Sequence, residues 1–169
     1  IERTIHDLVV VVNAEFFWVS YLLEVFFFDY LPLAKAKGIS LLAKPIANDL
    51  LVYADKIALM RVFGNLVSNA IKFSRSGGEV ILSAEKGSHE VRISVTDSGP
   101  GIDASEKHQL FEKYSRLDKH QTVEGTGLGL YVTKNIIDAH GGRIEIQSEV
   151  GIGTTFIISL PEPSNDKKS

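Results

Sequence analysis

The chain has 169 residues, a net charge of −3, a pI near 6.0 and no cysteine. Its length suits one domain that buries about 70% of the surface of its unfolded form, and 44% hydrophobic with 23% charged residues is an ordinary globular balance. The charge gives no electrostatic case for nucleic acid; the lack of cysteine excludes disulfides and thiolate metal sites and is compatible with the cytosol without proving it.

Starting at Ile1, with neither methionine nor a signal-type segment, the chain reads as part of something longer. Residues 1–15 are expected to be the end of a helix, with Ile1, Ile5, Leu8, Val9 and Val12 on one side. The four consecutive valines count against it, because β-branched side chains lose rotamer freedom in a helix. A short strand is expected over 16–20, then a helix over 21–37 stopped by Gly38 and kinked near Asp29 by Pro32. From Thr4 to Ala34 there is no Lys or Arg, and the aromatic load is high. Asn13, Glu15, Glu24 and Asp29 interrupt this stretch, and an Asp at a bilayer centre costs about 2.5–3.5 kcal/mol. No uncharged apolar run reaches the roughly 18 residues of a membrane span. A buried or partner-facing helical segment is the expectation.

Short strands over 39–43 and 50–53 flank a turn, and Asp55 is placed to cap a helix that runs to Phe73. On that helix Asn65, Asn69, Lys72 and Phe73 fall within about a quarter turn of one another, opposite Phe63, Leu66, Val67, Ala70 and Ile71. Two carboxamides and an ammonium on one stripe suit a metal–phosphate group. By itself the stretch fits an ordinary amphipathic helix equally well.

A hairpin follows, with strands over 79–86 and 90–96 around Gly87-Ser88. Asp97-Ser98-Gly99-Pro100-Gly101 breaks its second strand. A carboxylate there can accept from an exocyclic amine such as that of adenine, and the glycines let backbone approach a flat ring; a tight turn with a capping Asp is the plainer alternative. Short helical turns are expected over 103–113, a mobile loop over 114–126 and a helix over 127–140 ended by Gly141-Gly142. Gly125-Thr126-Gly127-Leu128-Gly129-Leu130 opens that helix, where free amides and the positive end of the dipole suit phosphate. It is no Walker loop, lacking the Lys, and no strand precedes it as in a dinucleotide fold. A last hairpin over 143–148 and 154–160 and a frayed tail complete the chain. Mixed helices and hairpins argue an α+β layer of helices on a mostly antiparallel sheet.

Taken together, the helix with Asn65 and Asn69, the Asp-x-Gly-x-Gly turn, Leu110-Phe111-Glu112-Lys113-Tyr114, the glycine-rich helix start and Gly151-Ile152-Gly153-Thr154-Thr155-Phe156 resemble one family. It is the catalytic, ATP-binding domain of sensor histidine kinases, in the superfamily shared with gyrase, the heat-shock chaperone ATPase and mismatch-repair ATPases. The resemblance runs from about Asp7 to Pro161. It implies a Bergerat-type, two-layer α/β sandwich with three main helices on one face of a mixed, mostly antiparallel sheet. Residues 1–15 would end a dimerisation helix, 16–161 would form the catalytic domain and 162–169 a disordered tail.

The resemblance assigns Asn69 to Mg²⁺ through its side-chain oxygen, Lys72 to the phosphates and Asp97 to the adenine amino group. Gly99 and Gly101, with Ile102 beside them, would line the base pocket. Gly125, Gly127 and Gly129, with Thr126, Leu128 and Leu130, would form the phosphate lid. Arg116 is a candidate phosphate contact and Thr154 is expected near the phosphates; Phe73 and Tyr114 lie at the site, with packing as their preferred role. Asn65 joins Asn69 and Lys72 in the catalytic set. It stands where water-using relatives carry a general-base Glu, and an amide cannot take a proton from water. A histidine acceptor, with a pKa of about 6.5, already offers a lone pair.

The implied activity is transfer of the γ-phosphoryl of Mg-ATP to a histidine on a dimerisation domain outside this chain, then to a response-regulator receiver domain. The full-length protein would be a homodimer, its catalytic part cytoplasmic, and its partners would not include nucleic acid. His6 is followed by valines instead of the acceptor pattern, which places the acceptor outside the chain. The alternatives are a non-catalytic nucleotide-binding regulatory module and a serine kinase of the anti-sigma type.

Overall fold

The computed structural model describes residues 2–5, 8–46, 49–113 and 127–163. In chain order these form β1 (Glu2–Ile5), β2 (Leu8–Val11), β3 (Glu15–Trp18), α1 (Val19–Ala36), β4 (Ser40–Ala43), β5 (Leu51–Ala54), α2 (Lys56–Phe73), β6 (Glu79–Lys86), β7 (Glu90–Asp97), a 3₁₀ turn (Lys107–Phe111), α3 (Gly129–Ala139), β8 (Arg143–Glu149) and β9 (Gly153–Pro161).

The main sheet has the order β4-β6-β7-β9-β8. Only the β4–β6 pair is parallel; the other three are antiparallel. Strand alternation gives the sheet two faces. Val80 and Leu82 of β6, Val91, Ile93 and Val95 of β7, and Phe156, Ile158 and Leu160 of β9 are buried on one of them. Polar pairs occupy the intervening positions: Ser83 with Ser94 at 3.1 Å and Thr96 with Thr155 at 2.9 Å. The buried face takes all three helices, through Leu22, Leu23 and Phe26 of α1, Leu59, Phe63, Leu66 and Ile71 of α2, and Ile136 and Ile137 of α3. The two-layer arrangement is the expected one.

The helix expected over 1–15 does not form. β1 and β2 pair antiparallel, Glu2 opposite Val11 and Ile5 opposite Leu8, and β3 follows. The valines decide it, since β-branched side chains suit a pleated strand better than a helix. The described part of 1–15 is therefore not the end of a dimerisation helix. β3 instead pairs with β5 as a second small sheet, Trp18 opposite Leu51.

The aromatic-rich segment divides. Phe17, Leu22, Leu23 and Phe26 enter the core, and Phe16, Trp18, Tyr21, Phe28 and Leu33 remain exposed. α1 continues through Pro32, whose missing N–H deprives only the carbonyl of exposed Phe28 of its helical partner. At the end of α1, Gly38 has φ +71°; Ile39 N donates to Ala34 O and Gly38 N to Lys35 O, a Schellman stop. α3 ends the same way, with Gly141 at φ +70° and Gly142 N donating to Ile137 O. Among the described residues no helix is long and apolar enough to cross a membrane.

Candidate active site

α2 carries the first part of the site. Asp55 Oδ1 accepts from Ala58 N at 2.9 Å and starts the helix where expected. Burial of Leu59, Val62, Phe63, Leu66, Val67, Ala70 and Ile71 turns Asn65, Asn69, Lys72 and Phe73 to the other side, all half-buried. The Asn69 carboxamide and the Lys72 ammonium make no hydrogen bond or ion pair with any described residue. Both are groups that fold into place without using their polar atoms.

The strand end supplies the second part. Asp97 Oδ1 accepts from Gly99 N at 2.8 Å and from Thr154 N at 3.3 Å. Oδ2 makes no bond to a described residue. Burial pushes this carboxyl above the ordinary carboxylate range, and the two amide bonds pull it back in part. The turn is close-packed. A Cβ on Gly99 would lie 3.1 Å from Phe73 O and 2.9 Å from Asp97 Oδ1, so the C-terminal end of α2 abuts the turn. Gly101 has φ +73°, and a Cβ there would collide with Glu149 O.

The third part is the start of α3. Gly127 has φ +70° and the helix begins at Gly129, whose Cβ position is taken by the Asn65 carboxamide. Asn65 Nδ2 donates to Thr133 Oγ1 at 3.3 Å. Asn65, Asn69 and Phe73 are spaced four residues apart, a little over one turn or about 6 Å each. Asn65 touches α3 and the Phe73 carbonyl faces Gly99, so Asn69 lies midway between the two glycine-rich segments.

Other expected residues have diverse placements. Leu130 is half-buried against the core. Ile102 is held by its amide, which donates to Ser148 Oγ at 2.8 Å. Thr154 lies beside Asp97, because the β7–β9 register puts these two residues opposite each other; its hydroxyl is shared with Ser148 at 2.8 Å. Tyr114, Arg116, Gly125 and Thr126 are outside the described residues, as are the whole of the loop expected over 114–126 and His6.

Two contributors escaped the sequence reading. Ser148 ties the turn to β9 by accepting from Ile102 N and bonding Thr154 and Gly153 O. Lys37, the residue after α1, donates to Ile71 O at 2.8 Å and to Lys72 O at the end of α2. The alternation of β8 indicated the face of Ser148, but no local pattern names a partner for either side chain.

The fold is shared with known proteins. The family model described as histidine kinase-, DNA gyrase B-, and HSP90-like ATPase matches residues 54–164. Sensor protein SrrB of Staphylococcus aureus is 38% identical over 111 residues, which are 64% of this chain and 19% of SrrB. The chain thus spans about a fifth of that relative's length. The catalytic domain of histidine kinase ThkA superposes with a TM-score of 0.78 at 28% identity, covering 89% of this chain and 97% of that one. ThkA in complex with response regulator protein TrrA gives 0.77 at 27% identity, covering 90% and 43%. Full-length ShkA in complex with AMPPNP gives 0.79 at 28% identity, covering 90% and 32%. The family match begins where β5 ends and takes in α2, the Asp97 turn and α3 as one unit, so the chain belongs to the family of histidine kinase-, DNA gyrase B- and HSP90-like ATPases.

Proposed function

We propose that this domain binds Mg-ATP between α2, the Asp97–Gly101 turn and the start of α3, and donates the γ-phosphoryl group to a histidine of a dimerisation domain. The observation that carries this reading is the set of three polar groups the fold leaves unused among the described residues: Asp97 Oδ2, the Asn69 carboxamide and the Lys72 ammonium. Asp97 Oδ2 is an acceptor for the exocyclic amine of adenine, fixed in direction by the amides on Oδ1. Asn69 offers a neutral, hard oxygen of the kind Mg²⁺ takes alongside waters and phosphates. Lys72, on the same helix, neutralises phosphate charge.

When bound, Mg²⁺ supplies charge neutralisation and orientation of the phosphates. The chain's own residues position and screen, and none forms a covalent bond. No base for water is present at position 65, where the amide cannot accept a proton. A neutral imidazole needs none, so transfer to histidine is favoured over hydrolysis.

The likeness to a sensor protein and to a kinase seen with a response regulator supports a receiver domain as the downstream partner and a dimeric parent. The supply of ATP places the domain in the cytoplasm, with or without a membrane anchor elsewhere in the parent.

Calorimetric titration with AMPPNP and Mg²⁺ tests the site: binding is expected in the unsubstituted domain and lost in Asn69→Ala and Asp97→Ala. Labelled ATP should then give acid-labile phosphate on a separately supplied dimerisation domain of the parent. Acid-stable label would indicate a serine kinase instead, and tight binding without transfer a regulatory module.

A further inference from the structure

Asn65 differs from its neighbours on the α2 stripe. Asn69 and Lys72 leave their polar atoms unused among the described residues, but the Asn65 carboxamide is already engaged by α3. Its Nδ2 donates to Thr133 Oγ1 at 3.3 Å, and Thr133 is only 1% exposed. On the other side, a Cβ at Gly129 would collide with Asn65 Oδ1 and lie 2.9 Å from Cγ and 3.0 Å from Nδ2. Gly129 and Thr133 are one turn apart on the same face of α3, so the carboxamide is held between two successive turns of that helix.

We infer that Asn65 is a positioning residue that seats the first turn of α3 on α2, and so sets where Gly127 to Gly129 lie relative to Asn69. The inference rests on the nucleotide-binding reading above, and it changes the meaning of two residues in it. Gly129 is glycine because the Asn65 carboxamide occupies the space of its Cβ; its φ is not in the left-handed region, unlike that of Gly127. Thr133, remote from the Asp97 turn in sequence and buried, becomes part of the nucleotide-binding apparatus through a hydroxyl that, among the described residues, bonds Asn65 alone. The shape of the contact also explains a carboxamide of this length. A Glu would push one methylene further into Gly129 and Thr133, with a charge to bury as well.

A steric-suppression experiment tests this, read by affinity for AMPPNP with Mg²⁺. Gly129→Ala should weaken binding about tenfold by forcing Asn65 from its place, whereas in an Asn65→Ala background the same change should cost about twofold or less. Thr133→Val should weaken binding about fivefold, the loss of one hydrogen bond, and add nothing once Asn65→Ala is present. Thr133→Ser, which keeps the hydroxyl, should retain the affinity of the unsubstituted chain.

Equal costs of Gly129→Ala in both backgrounds, or full affinity in Thr133→Val, would overturn the inference. Amide hydrogen exchange of residues 130–134 without nucleotide separates the seating of α3 from nucleotide binding itself. Faster exchange in Asn65→Ala and Thr133→Val supports the seating even if the unsubstituted chain fails to bind nucleotide, and unchanged exchange refutes it.

Discussion

Oδ1 of Asp97 is committed to two backbone amides, and Oδ2 is left for a ligand. Burial raises the pKa of this carboxyl above its ordinary 3.8. Between the unfolded and folded values the native state then holds the proton more firmly, so stability falls as pH rises through that window. Asp97→Asn keeps an oxygen for the two amides and removes the buried charge. The variant is expected to melt at or above the unsubstituted domain at pH 7, with the difference shrinking as pH falls toward 3.8. It should lose AMPPNP binding, because its free NH₂ meets the adenine amine donor to donor. Melting curves across pH and calorimetry check both halves; an Asn variant less stable at neutral pH would show that the charge itself holds the turn. At this scale Asp97 and Asn69 were legible in the sequence, since motif spacing marked them. Ser148 was not, because its value lies in the partners Ile102, Gly153 and Thr154, and a serine in an alternating strand announces none of them.

Among the elements, α2 was read correctly over almost its full length because its apolar residues repeat at three and four and Asp55 starts it. Its ends are held by residues that the pattern could not indicate. Asp55 Oδ2 accepts from Asn13 N at 3.0 Å, and Asp55 N donates to His140 Nε2 at 3.0 Å. With Nδ1 of the same ring 2.7 Å from Ile136 O, His140 is the Nδ1–H tautomer, joining the end of α3 to the cap of α2. At the other end Lys37 places a cation on the last carbonyls of α2, where the helix dipole favours one. Burial lowers the pKa of that ammonium, which offsets part of the gain. Lys37→Met should therefore destabilise the domain by about 1 kcal/mol in denaturant titrations, and Lys37→Arg should recover part of it. No change in Lys37→Met would mean that water replaces the lysine at no cost. β1 and β2 show the opposite failure. Their apolar spacing is compatible with one face of a helix, but in the fold the β-branching of the valines prevails.

For the whole molecule, the single core under the sheet is what aligns three separate motifs. Phe63 is fully buried at the centre of α2 and packs on Phe26 of α1 at a centroid distance of 6.2 Å. Phe63→Ala should cost about 3–5 kcal/mol of stability, measured by denaturant unfolding, and should weaken nucleotide binding although Phe63 lies on the face of α2 opposite the stripe. Unimpaired binding with lowered stability would show that the site keeps its shape independently of this contact. The layer architecture, the face of α2 and the glycine-marked turns were determined by the sequence alone, because periodicity and backbone freedom are local properties of a chain. Only the tertiary structure decided that Asn65 is taken up by Thr133, 68 residues away, and that Lys37 caps α2 at Ile71 O, 34 residues further on. It also decided that Thr154 belongs beside Asp97. Such pairings depend on which elements become neighbours, and that follows from burying all the apolar faces at once and not from any one stretch.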